Sequence, residues 1–147
     1  TMEKSESIKN IAEAQLAIQK EIKDIAKDSA GYGYNYTSFD KLVQYLRPLL
    51  AKHSISFMQM PIGGNKDGFA IGLRTLYMHS PSGEWISTTL CSPIAEHKGM
   101  NIYQSVGSAI TYFRRYSLAS FVGIASEEDI DASSNTENKN RKEDEEW

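Results

Sequence analysis

The 147-residue sequence predicts an α+β fold: a three-stranded antiparallel β-meander packed with helices, followed by an acidic, disordered C-terminal tail. Three observations predict it. Apolar residues at steps of three and four mark amphipathic helices before and after the middle of the chain. Between residues 55 and 92, three runs rich in β-branched and aromatic residues are separated by turn chemistry. Beyond Ile124 the composition collapses to Ser, Asn, Glu, Asp and Lys, which cannot bury a core. The order is helix, helix, three strands, helix, tail, with no internal repeat.

From Ser7 to about Asp28, Ile8, Ile11, Ile18, Ile22 and Ile25 form one narrow stripe, with Gln15 filling the gap. Gly31 suits its C-terminal cap. So narrow a stripe needs either the protein body or a second copy to cover it. In "GYGYNYTSFD", an extended backbone points Tyr32, Tyr34 and Tyr36 to one face. Thr37 with Asp40 resembles a capping box for a second helix carrying Leu42, Val43, Leu46, Leu49 and Leu50, which Pro48 should kink or restart. Strands are expected at 55–60, 69–79 and 84–92, joined through "IGGNKDG" and "SPSG". "PIAEHKGMN" then leads into a long helix from about Asn101 to Phe121. The chain divides into an N-terminal helix (1–29), a core (30–125) and a tail (126–147).

The length fits one domain with a real core. A single cysteine, Cys91, excludes an internal disulfide and a multi-cysteine zinc site; within an apolar run it reads as a buried, inert thiol suited to a reducing cytosol. No apolar run approaches the ~18 residues of a membrane span, and "TMEKSESIKN" lacks a signal-peptide core. Thr1, ahead of Met2, is set aside as a remnant. The net charge of -3 hides an asymmetry: residues 126–147 carry nine acids and three bases, leaving a body with a net of +3. A mildly basic body with an acidic tail is a pattern of nucleic-acid partners, though a weak one.

"GSAITYFRRYSL" puts two arginines on the most apolar helix. At 100° per residue, Gln104, Ser108, Thr111 and Arg115 fall within about 60° of one another. Arg114 and Tyr112 border this polar stripe, Gly107 lies between the two arginines on the wheel, and Ile102, Val106, Ala109, Ile110 and Phe113 face the opposite way, toward a core. The stripe carries hydrogen-bond donors and no acid, which suits phosphate oxygens. Periodicity alone favours a plainer reading: a solvated face whose arginines pair with acids elsewhere.

A resemblance shifts that balance. "QSVGSAITYFRRYSLASFVGI" followed by "EEDIDA" resembles the signature of the Erf family, the phage essential recombination function single-strand annealing proteins. "YGYNYTSFDKLVQYLRPLLAKHSISFMQ" and "LYMHSPSGEW" are similar to that family's upstream pattern, so the likeness spans roughly residues 30–131. Two departures stand out: Ser54 replaces the Gly expected at the second helix's end, and Ile130 interrupts the acid run. The resemblance implies a protein of the bacterial host cytoplasm that coats single-stranded DNA and anneals complementary strands without ATP, as rings or filaments. It also implies a β-β-β-α core like that of other single-strand annealing proteins, with Arg114 and Arg115 as the basic pair lining a DNA groove. The implied partners are single-stranded DNA, the annealed duplex intermediate and further copies of the chain. A single-strand-binding protein or a phage exonuclease are further candidates.

Tyr32, Tyr34 and Tyr36 could stack on bases or simply half-bury in a strand; the residues favour neither. Arg74 is a candidate phosphate contact on the middle strand, and Lys98 another beside the long helix's positive end, each with a solvated role as the alternative. His53, His79 and His97 lack metal spacing, and "GGNKDG" lacks the hydroxyl residue of a phosphate-binding Walker loop. No nucleophile has a base at recognisable spacing, so neither catalytic residues nor a cofactor or metal is expected. Glu127, Glu128, Asp129 and Asp131 read first as a solvated run that competes for the basic groove. Two rival functions remain: a metal-dependent DNA-processing enzyme using that cluster, and an oligomeric scaffold that binds no DNA.

Overall fold

The computed structural model describes residues 1–23, 29–30, 35–63, 71–94 and 98–126. The chain runs β1 (Met2–Lys4), α1 (Lys9–Glu21), β2 (Ser29–Ala30), β3 (Asn35–Tyr36), α2 (Phe39–Lys52), β4 (Ile55–Gly63), β5 (Ile71–His79), β6 (Trp85–Ser92) and α3 (Ile102–Val122). The architecture is α+β. Its main sheet is antiparallel in the order β1-β6-β5-β4, and β2 pairs separately with β3.

The sheet has four strands rather than three. Met2 pairs opposite Thr88 and Lys4 opposite Ile86, and Thr89 N–H donates to the Thr1 carbonyl at 3.0 Å, so Thr1 extends the pairing. Three residues are too few to show an alternation of their own; the open edge of β6 templates them.

One face of the sheet carries the helices. Ile55, Leu73, Thr75 and Tyr77 are buried there, and the Tyr77 ring stacks on Phe121 with centroids 3.7 Å apart. The Tyr77 hydroxyl donates to Ser117 O at 2.7 Å, and burial pushes its pKa up. The opposite face carries Met58, Met60 and Ile62 of β4, and Met58 is 50% exposed. Cys91, paired with Gly72, belongs to that face and is exposed, which corrects the expected buried thiol. Alternation places it away from the helices.

Ile11, Ala14 and Ile18 of α1 meet Leu42, Leu46 and Leu50 of α2 and Leu118, Ala119 and Val122 of α3 in one core. The isoleucine stripe is therefore covered within the protomer. The helix ends at Glu21; Ile25 and Gly31 lie outside the described residues. Its first residue follows Ile8, which has no side-chain cap, and the cap comes instead from the β5–β6 turn. The Glu84 carboxylate accepts from Asn10 N–H at 2.8 Å, Ile11 N–H at 3.1 Å, Ser7 Oγ at 2.8 Å and Ser82 Oγ at 3.0 Å. An anion at a helix N-terminus satisfies orphan N–H groups and meets the positive end of the dipole. Burial pushes the Glu84 pKa up, but these hydrogen bonds outweigh it and hold the carboxyl below its ordinary range.

The α2 cap is Ser38, not Thr37: Ser38 Oγ accepts from Lys41 N–H at 3.4 Å. Thr37 is buried, and its N–H donates to Ser126 O at 2.8 Å, which ties the segment after α3 to the start of α2. Pro48 neither breaks nor restarts the helix, which is continuous to Lys52. Just beyond it Ser54 adopts φ 60°, the left-handed conformation for which glycine is the natural choice.

In α3 the expected burial pattern fails. Ile102 is 41% exposed and Val106, Ala109, Ile110 and Phe113 are only partly covered; the buried set is Ser105, Arg115, Ser117, Leu118, Ala119, Phe121 and Val122. By helical geometry Leu118 and Val122 continue the same side as Thr111, Gly107 and Gln104. That side is core in the C-terminal half and exposed in the N-terminal half. Arg114 and Arg115 sit where one gives way to the other.

Candidate nucleic-acid interface

Asn101 and Gln104 start α3 with a reciprocal capping box: Asn101 Oδ1 accepts from Gln104 N–H and Gln104 Oε1 from Asn101 N–H, both at 2.9 Å. Gln104 thus has a structural task that the stripe reading did not assign it. Ser108 and Thr111 remain exposed, with Thr111 Oγ1 bonded back to Gly107 O at 3.1 Å. A Cβ added at Gly107 meets nothing within 4 Å, so the stripe is open where backbone could approach backbone.

The two arginines differ sharply. Arg115 is 5% exposed, with its guanidinium 4.3 Å from the Tyr36 ring centroid, 5.2 Å from that of Tyr112 and 5.6 Å from that of Tyr116. Tyr112 and Tyr116 also share a 2.9 Å hydroxyl contact, which fixes the ring pair on α3. The expected exposed centre of the stripe is therefore a buried cation in an aromatic setting, because the folded chain brings β3 across this turn of α3. Arg114 is half-buried and held from two directions. Its guanidinium lies 4.3 Å over the Phe39 ring and its Nε donates to Gln59 Oε1 at 3.4 Å, while Gln59 Nε2 donates to Arg114 O at 3.0 Å. Among the described residues no carboxylate pairs with it.

Arg114 lines a groove of about 430 Å³ between α2 and β4, and Arg47 lines the same groove. Arg47 is one of three basic residues on α2, and no motif in the sequence singles it out. Only the packing of α2 against β4 brings it to Arg114.

Of the remaining sequence-nominated residues, Arg74 and Lys98 do not converge on this point. Arg74 lies on the helix-free face, donating to Glu3 Oε2 at 2.8 Å and to Ser87 Oγ at 3.0 Å, so its charge is matched. Lys98 is exposed in the turn before α3, about 18 Å of helix from Arg114. Tyr36 is half-buried in β3 beneath Arg115, and its strand partner is Ser29. Tyr32, Tyr34 and the 127–131 acid cluster lie outside the described residues. Among the described residues no cluster of His, Cys, Asp or Glu could hold a metal, and no helix is long and apolar enough to cross a membrane.

A second concavity, of about 630 Å³, runs between α3 and β6 past Met2, Ile86, Leu90, Phe113 and Tyr116. Among the described residues its lining carries no charge, so it offers a phosphate no cation. The cationic site is therefore on the α2–β4 side of α3.

No curated protein and no solved structure gives a significant match to this chain. The profile of the ERF superfamily matches residues 11–146. That match takes in α1 from Ile11 onward, strands β2 to β6, both longer helices and the acidic run, and so the chain belongs to the ERF superfamily.

Proposed function

We propose that this protein binds single-stranded DNA without sequence preference and anneals complementary strands without ATP, acting as a homo-oligomeric ring or filament. The observation that carries the reading is Arg114: a guanidinium fixed by Gln59 and Phe39, facing no carboxylate among the described residues, at the inner end of an acid-free exposed stripe in an ERF superfamily chain. A pre-positioned arginine loses little entropy when it meets a phosphate. Self-association draws on the helix-free sheet face, where Met58, Met60 and Ile62 are exposed. The α1 stripe is no longer available for it, being core. The setting is the cytoplasm of a bacterial host, with a single-strand-binding protein or a phage exonuclease as functional neighbours.

Fluorescence anisotropy with labelled single-stranded and duplex oligonucleotides, followed by an annealing assay in the absence of nucleotide, tests the proposal. Salt-sensitive preference for single strands and accelerated annealing are expected. Magnesium-dependent cleavage would instead identify the metal-dependent enzyme, and stable rings with no DNA affinity the scaffold.

A further inference from the structure

Among the described residues, the groove between α2 and β4 has two arginines and no acid. Its lining is Arg47, Leu50, Ile55, Phe57, Gln59 and Arg114, with Ala51 and Ser56 completing the wall. Arg114 enters with its Nε on Gln59 and its face on Phe39, so its terminal amino groups are the donors left for a ligand. Arg47 is exposed on α2, and no carboxylate among the described residues pairs with it. Arg74, by contrast, is paired with Glu3, and Lys52 and His53 with Glu21. Two cations left facing one concavity repel each other until an anion enters. Leu50, Ile55 and Phe57 add an apolar floor that suits a sugar or a base edge rather than a free inorganic ion.

We infer that this groove is a phosphodiester subsite in which Arg47 and Arg114 hold the backbone of single-stranded DNA. The inference rests on the single-stranded DNA reading and goes beyond it by routing the strand over α2 and β4, away from Arg74. Arg115 acts differently: it positions β3 against α3 and touches no phosphate. Arginine matches a phosphate through paired N–H donors, which lysine cannot reproduce.

The test uses the full chain and a labelled thymidine oligonucleotide, with affinity measured across a salt series. Arg47→Ala, a change at an exposed position, should melt like the wild type. It should bind roughly tenfold or more weakly, as expected when a charge-assisted hydrogen bond is removed. Its slope of log affinity against log salt should fall by about 0.7 for each phosphate that the variant no longer neutralises. Arg114→Ala should behave alike, and Arg74→Ala should keep the wild-type slope. Unchanged binding by Arg47→Ala overturns the subsite, and tighter binding overturns it in favour of the chain's own acidic tail as occupant. A wild-type protein with no affinity for single strands overturns the functional reading itself, and the subsite with it.

Discussion

The Arg115 guanidinium lies over the Tyr36 ring at 4.3 Å, inside the protein rather than on its surface. This pairing fastens β3, which enters from the segment before α2, onto the middle of α3. A desolvated cation–π contact of this kind contributes about 2 kcal/mol. Arg115→Ala is therefore expected to lower the melting temperature by about 4–8 °C for a domain of this size, as followed by circular dichroism. Arg114→Ala should melt much closer to the wild type while its DNA affinity falls. Equal melting of the two variants would contradict the division of labour between them.

Glu84 gives the fold a pH-dependent fastening. Its carboxyl titrates below the ordinary carboxylate range because the α1 N-terminus and two hydroxyls hold its charged form. A group with a depressed folded pKa contributes stability that is fully present above its unfolded value of about 4.3. That contribution is lost as the pH falls through the lower folded value. Glu84→Gln should be less stable than the wild type at neutral pH, with the gap closing on acidification. Denaturant titrations at a series of pH values report the gap; one that stays constant down to about pH 3 counts against the cap.

Gly107 separates stability from binding. An added Cβ meets open space, and the exposed helical position favours alanine over glycine by about 0.8–1 kcal/mol. Gly107→Ala should melt higher. It should also bind single-stranded DNA more weakly, because the methyl group stands in the open stripe leading to Arg114. A gain in stability with undiminished affinity places the strand elsewhere.

The acidic tail is expected to compete with DNA. Deleting residues 132–147 removes five acids and three bases and should tighten binding only slightly. Neutralising Glu127, Glu128, Asp129 and Asp131 removes four charges close to Ser126, which is anchored beside Thr37, and should tighten it more, most clearly at low salt. If the quadruple variant binds more weakly, and only with magnesium present, the cluster is a cation site instead.

Some of this is legible from residues alone. The leucines of α2 and the three runs that become β4, β5 and β6 carry their own periodicity, and each lies within a few residues of its expected place. The family resemblance, rather than the residues alone, expects a glycine at Ser54, which takes up the left-handed turn a glycine would make. The failures share one cause. β1, the burial of Arg115, the exposure of Cys91 and the place of Arg47 beside Arg114 each depend on how distant segments are laid together. The turn at α3's centre misleads most: a helical wheel assumes one environment along the whole helix, and this helix passes from core to surface at Arg114 and Arg115.

The closing of the sheet by β1 bears on how the chain folds. Met2 pairs with Thr88, and the α1 cap comes from Glu84, so the earliest residues depend on partners that follow by about half the chain. Hairpin pairing among β4, β5 and β6 is local and can form first. The N-terminal strand and helix dock only after Glu84 and β6 are in place, a late, long-range step of the kind that slows folding. The isoleucine face of α1 stays uncovered until Leu118, Ala119 and Val122 of α3 reach it. During synthesis, the interval between making α1 and making α3 is when this chain is most open to aggregation.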